Sequence, residues 1–179
     1  MITECKLSLE EIKALSKKMV LLVDSREKKN KHIMEYFMKH MLSYEIRQLP
    51  YGDYSFYLPA GTVSWVSCPL YFHREIVLER KASLEELSGN LGKERERFEK
   101  ELGKAARDRC KVYLLVESPG GYGDIIGHKY QTEFKPASYL ASLKSYESRY
   151  GLNIQFTEPE YSGYLIYSTL YYFMRERLI

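Results

Sequence analysis

Three acids and a lysine define the chemistry open to this chain. Asp24 closes the apolar run Met19 to Val23, Asp53 follows Gly52 at a turn, and Glu79 and Lys81 flank Arg80 after another hydrophobic stretch. Each acid falls where a short β-strand would end. Two carboxylates delivered by adjacent strands, Asp53 and Glu79, suit a hard cation such as Mg2+ or Mn2+, which prefers oxygen ligands and keeps several waters. A cation held there activates a water and stabilises charge on a pentavalent phosphate. Lys81 lies two residues beyond Glu79, on the same face of its strand, where it would orient the attacking water or neutralise the phosphate. Asp24 would add a third acid, through the metal or its waters. Arg26 and Arg80 carry guanidinium forks that match phosphate, and Glu27 is a candidate tether for one of them.

The elements that must position these residues follow from pattern and punctuation. Ser8 to Lys18 reads as a short amphipathic helix with Ser8 as N-cap and Glu11 in the capping-box position. Met19 to Val23 has the continuous apolar pattern of a buried strand. Lys31 to Leu42 is predicted helical, with Ile33, Tyr36, Phe37 and Met41 on roughly one face. Tyr44 to Leu49 alternates as a strand, and Pro50-Tyr51-Gly52 turns into another, Asp53 to Leu58. Pro59 to Pro69 reads as a hairpin loop or insertion, and Tyr71 to Glu79 as the strand that delivers Glu79 and Lys81. Ser83 and Glu86 form a second capping-box pattern at a helix start. After Gly89 to Gly92 a long helix runs to about Arg109.

Lys111 to Val116 is a further buried strand, and Ser118 to Gly123 a glycine-rich turn without the Gly-Lys-Ser/Thr ending of a phosphate loop. Pro136 suits the first turn of a helix to Tyr150, capped by Gly151. Asn153 to Phe156 is a short strand, and Tyr161 to Leu178 a closing helix. Strands and helices interleave without repeats or linkers, so the expected class is α/β with a mixed central sheet flanked by helices.

Composition narrows the function classes. The chain has 179 residues, 45% hydrophobic and 28% charged, which fits one globular domain, 1–179, with a real core. Cys5, Cys68 and Cys110 show no metal-ligand spacing, and their odd number fits a reduced, intracellular protein. No apolar run approaches the ~20 residues that span a bilayer, and no signal-peptide core opens the chain; a cytoplasmic protein is expected, without a membrane partner. His32, His40, His73 and His128 form no ligand pattern. The net charge of +3 is too small to name a partner. Between Lys93 and Lys111, however, eight basic residues face five acidic ones. Lys93, Arg97, Lys100, Lys104, Arg107 and Lys111 step by four and three into one stripe, opposite Leu91, Phe98, Leu102 and Ala105. The stripe is either a solvated, ion-paired face or a duplex-tracking phosphate contact. Tyr161, Tyr164, Tyr167, Tyr171 and Tyr172 stripe the last helix, for core packing or a dimer face.

Val23-Asp24-Ser25-Arg26-Glu27, Gly52-Asp53, Glu79-Arg80-Lys81 and the acid Glu85, in that order, resemble the XPF-family nuclease domain, a branch of the PD-(D/E)xK endonucleases. The resemblance covers roughly Met19 to Phe156. It implies a restriction-endonuclease-like nuclease fold and a Mg2+- or Mn2+-dependent endonuclease acting on branched, flap or fork DNA. It also implies that nuclease domains can pair as homodimers. Asp24, Asp53 and Glu79 match the acidic positions, Lys81 the catalytic lysine and Arg80 the middle of the triplet. Arg97-Phe98 resembles the start of the next helical motif. Two departures stand out. The family usually has Asp where this chain has Glu85, one methylene longer, and no tandem helix-hairpin-helix signature is present. The runner-up reading is a catalytically silent nuclease-like module that binds DNA or a partner.

Overall fold

The computed structural model describes residues 7–63 and 66–178; Cys5 lies outside them. Helix α1 (Leu9–Ser16) opens with the expected capping box, Ser8 and Glu11 each bonding the other's backbone N–H. Strand β1 (Val20–Asp24) follows and is buried from Leu21 onward. Helix α2 (Lys31–Lys39) carries the chain to β2 (Tyr44–Arg47), which pairs parallel with β1. The helix stops sooner than its pattern suggested. Met41 adopts φ 52°, a left-handed turn that lets Leu42 N–H return to Phe37 C=O at 2.9 Å, and its side chain is 90% exposed rather than in the core.

Strands β3 (Tyr54–Leu58) and β4 (Leu70–Tyr71) pair antiparallel across the 59–69 connection. The strand expected from Tyr71 to Glu79 is broken in two. Phe72 stacks on Phe56 with ring centroids 4.4 Å apart, and the polar triplet His73-Arg74-Glu75 turns outward before β5 (Ile76–Lys81) begins. Helices α3 (Leu84–Leu91) and α4 (Arg95–Arg107) cross to β6 (Lys111–Glu117). Ser83 caps α3 by accepting the Glu86 N–H, but the Glu86 carboxylate accepts from Ala82 N–H instead of closing the box.

The glycine-rich segment is not a plain turn: Gly121–Ile126 forms a short helix, α5, which buries Ile125. Helix α6 (Pro136–Tyr150) starts on Pro136 and ends at left-handed Gly151, as expected. Strand β7 (Asn153–Thr157), a 3₁₀ turn (Pro159–Tyr161) and α7 (Ser162–Leu178) complete the described chain.

The sheet runs β2-β1-β3-β5-β6-β7, with β4 attached to β3. β5, β6 and β7 are mutually parallel, while β3 runs antiparallel to both β1 and β5, so the sheet is mixed. Side chains alternate across it. Leu21, Val23, Ile76, Leu78 and Leu115 pack in one core with residues of α1, α2 and α7. Val77, Leu114 and Val116 pack in the other with residues of α3, α4, α5 and α6. Among the described residues no helix is long and apolar enough to cross a membrane.

Candidate active site

The alternation that builds the two cores also sorts the charged triplet. Glu79 and Lys81 share the side of Val77, toward α3 and α4, while Arg80 shares the side of Ile76 and Leu78. Asp53 reaches the first group through a tight turn. Gly52 has φ +69°, and a Cβ there would stand 2.7 Å from Val77 Cβ, so only glycine fits. The Asp53 backbone then bridges its neighbours: its N–H donates to Leu78 C=O at 2.8 Å, and its C=O accepts from Asp24 N–H at 2.7 Å. Its side-chain Oδ2 accepts from the Arg80 N–H at 2.7 Å.

Lys81 Nζ donates to Glu79 Oε1 at 2.6 Å, with side chains 7% and 12% exposed, and lies 5.2 Å from the centre of the Phe98 ring. Burial pushes the Lys81 ammonium down, but Glu79, then Asp53 and Glu86, more than reverse this and hold it above the ordinary lysine value. Burial, reinforced by the charge of Glu79, pushes the Asp53 carboxyl well above the ordinary range. A local surplus of negative charge is the setting a cation relieves. Asp53 Oδ1 and Glu79 Oε2 have no hydrogen-bond partner among the described residues, so each carboxylate has one oxygen to give. Two such donors fit Mg2+ or Mn2+, whose other ligands are commonly waters and substrate.

Asp24 commits its carboxylate to other partners in this arrangement. It is 1% exposed; Oδ1 accepts from Arg26 N–H and Nε, and Oδ2 from Arg26 Nη2 and Leu49 N–H, at 2.6–3.0 Å. Burial raises its pKa, but these bonds outweigh that and hold the carboxyl below its usual range. The arrangement makes Asp24 the fixture of Arg26. Among the described residues no cluster of three or more His, Cys, Asp or Glu forms a ready metal cage.

Arg80 is also placed differently from expectation. Its side chain is 4% exposed, forked onto Glu117 and touching Glu27 at 3.2 Å, so carboxylates engage its guanidinium even though it borders the groove described next. Glu27 thus tethers Arg80. Glu85 spends its extra methylene reaching Gln131 N–H at 2.9 Å, which ties α3 to the loop before α6.

Beside Lys81 lies an open groove of about 570 Å³, whose lining includes neither Asp53 nor Glu79. Its lining carries the basic residues Arg26, Lys28, Lys29, Arg80, Lys81, Lys93 and Arg97 and the acids Glu27, Glu85, Glu86 and Glu94. The six-residue stripe is therefore divided. Lys93 precedes α4, and Lys111 opens β6 with its ammonium over Phe173, on the opposite face of the sheet. Lys100, Lys104 and Arg107 are exposed along α4 but do not line the groove, and Arg97 pairs with Glu94 at 2.5 Å. Phe98, Leu102 and Ala105 are buried, as the pattern required.

Sequence reasoning missed Glu117, His32 and Ser162, which meet behind Arg80. One signal was legible: Glu117 ends an apolar run just as Asp24 does.

Comparison with known proteins adds to this geometry. A family model of the ERCC4 domain matches residues 23–169, a span that begins and ends later than the motif resemblance. No protein of curated function matches the sequence. Among solved structures, XPF from Aeropyrum pernix superposes with a TM-score of 0.62 at 20% identity, covering 87% of this chain and 65% of that one. The structure of XPF from Aeropyrum pernix in complex with DNA gives 0.61 at 19% identity, covering 88% and 66%. The match thus spans just under two thirds of those chains. At such identity the likeness is one of fold: a mixed sheet flanked by helices.

Proposed function

The chain belongs to the ERCC4 domain family, and from that premise we propose that it is a divalent-metal-dependent DNA endonuclease acting on branched, flap or fork DNA. The observation that carries this reading is the meeting of Asp53, Glu79 and Lys81, with Lys81 also lining a groove rich in basic residues. DNA as substrate class is further supported by the Aeropyrum pernix XPF relative having been captured with DNA.

Asp53 and Glu79 would hold the cation, which supplies Lewis-acid activation of water and charge neutralisation at the phosphate. Lys81 is a protonated ammonium at neutral pH, given its raised pKa. As an ammonium it can orient water and balance phosphate charge. Glu79 holds that ammonium in place while offering its other oxygen to the site. Arg26 has Nε and Nη2 engaged by Asp24 and Leu49 C=O, which leaves Nη1 for a phosphate oxygen. Lys93 and Arg97, which also line the groove, would hold the backbone.

The test is cleavage of flap, fork and plain duplex DNA in Mn2+ or EDTA, beside Asp53→Ala and Lys81→Ala. Mn2+-dependent cleavage should fall on the order of 10²–10³-fold in each variant, the scale of losing one preorganised electrostatic group. Cleavage that survives both substitutions would sink the site. Binding without cleavage in any metal would instead favour a silent DNA-binding module.

A further inference from the structure

On the α2 and α7 side of the sheet a second charged arrangement centres on Glu117; its Arg80, with Glu27, also borders the groove. An arginine as deeply buried as Arg80 needs partners, because an unpaired charge there is prohibitively costly. Glu117, at the end of the adjacent parallel strand β6, supplies them: Arg80 Nε donates to Oε1 at 2.8 Å and Nη2 to Oε2 at 2.6 Å. Oε1 also accepts from Ser162 Oγ at 2.7 Å and meets His32 Nε2 at 2.7 Å. These contacts come from β5, the start of α2 and the first residue of α7. They crowd Oε1 with three contacts and engage Oε2 with one, so Glu117 is committed to holding neighbouring elements together.

The same arginine faces the site through its backbone. Its N–H is the donor to Asp53 Oδ2, and its chain neighbours are Glu79 and Lys81. Rotation of the strand at Arg80 would turn all three site residues together. We propose that Glu117 is a positioning residue for the nuclease site: by clamping the Arg80 fork it fixes the N–H that orients Asp53 and the strand segment that presents Glu79 and Lys81. This rests on the endonuclease reading above.

Glu117 does not line the groove, so its loss should spare DNA binding and strike the chemistry. A misplacement of about 1 Å can cost on the order of 10²-fold in rate, and loss of an outer partner typically weakens a metal site 10–100-fold. For Glu117→Gln we expect kcat to fall roughly 30–100-fold with KM for a DNA flap within about twofold. Mn2+ affinity of the DNA-free protein, read by titration calorimetry, should weaken about tenfold. In a double-mutant cycle with Arg80→Lys, the two kcat losses should be strongly non-additive, since both act through one contact. Ser162→Ala keeps every charge and removes one bond; it should lower kcat about threefold at unchanged KM, and it carries the test if Glu117→Gln does not fold.

Wild-type kcat and Mn2+ affinity in a folded Glu117→Gln, or in Ser162→Ala where that variant carries the test, overturn the positioning role. So do additive losses in the cycle, or a loss confined to KM. If the wild-type protein itself neither cleaves DNA nor binds Mn2+, the endonuclease reading has failed first, and the positioning role falls with it.

Discussion

Asp53 and Glu79 set two carboxylates against the single ammonium of Lys81 in a partly buried recess. That arrangement is poor for stability and suited to binding a cation, the usual tension at a functional site. Neutralising Asp53 should therefore separate the two properties. Asp53→Asn keeps an oxygen for the Arg80 N–H but removes a charge that burial and Glu79 both oppose. In EDTA at neutral pH its melting temperature should exceed wild type by roughly 2–4 °C, the shift that about 1 kcal/mol produces in a domain this size. Saturating Mn2+ should reverse the order, because only the wild type gains stability by binding it. Thermal melts with and without Mn2+ check both halves. A variant less stable than wild type in EDTA would show that Asp53 is mainly structural. Asp24 is the contrasting acid: buried and depressed in pKa, it is held by four hydrogen bonds and serves Arg26.

Helix α4 and the turn before it place Lys93 and Arg97 on the groove, while Lys104 and Arg107 lie farther along the same helix. If the groove carries DNA, only the first pair should enter its electrostatics. Lys93→Gln with Arg97→Gln should lower the slope of log K against log salt by about 1–2 for duplex binding, near 0.9 for each phosphate no longer neutralised. Lys104→Gln with Arg107→Gln should leave the slope unchanged. Equal effects from both pairs would assign DNA binding to the whole helix face. The reason for the difference marks what the sequence could disclose. Glu79 and Lys81 share a face by strand alternation, and Gly52 announces the turn that presents Asp53; both are local rules and both were legible. The partner of Arg80 is 37 residues away, set by the pairing of β5 with β6, and no spacing rule reaches it. The partners of Asp24 were hidden for the same reason, since Leu49 returns to it from across a crossover. The short α5 escaped notice because its glycines suggest a turn, whereas burial of Ile125 in the second core favours the helix.

The two helical layers are joined through one sheet, and the charged groups at its carboxyl edge connect them. Glu117 ties β6 to β5, α2 and α7, while Asp53, Glu79 and Lys81 face α3 and α4. The stability of the whole molecule should therefore carry the titration of Glu117. Burial raises its pKa, but bonds from Arg80, Ser162 and His32 outweigh that and bring it below the ordinary 4.5. A carboxyl depressed in the folded state contributes stability that is present above its unfolded value and lost as pH falls through its folded value. Glu117→Gln leaves Arg80 with an amide oxygen and the longer contact to Glu27, and should cost about 3 kcal/mol at pH 7, the lower end for breaking a buried ion pair. In acid the wild type loses the same interaction by protonation, so the two proteins should converge. Urea unfolding in EDTA between pH 3 and pH 8 measures this directly. The gap should narrow steadily below the ordinary value of 4.5, with Asp24 adding a parallel acid loss to both proteins. A gap that persists undiminished at pH 3 would mean that Glu117 stabilises the fold by its shape, and that the charge it shares with Arg80 does not hold the layers together.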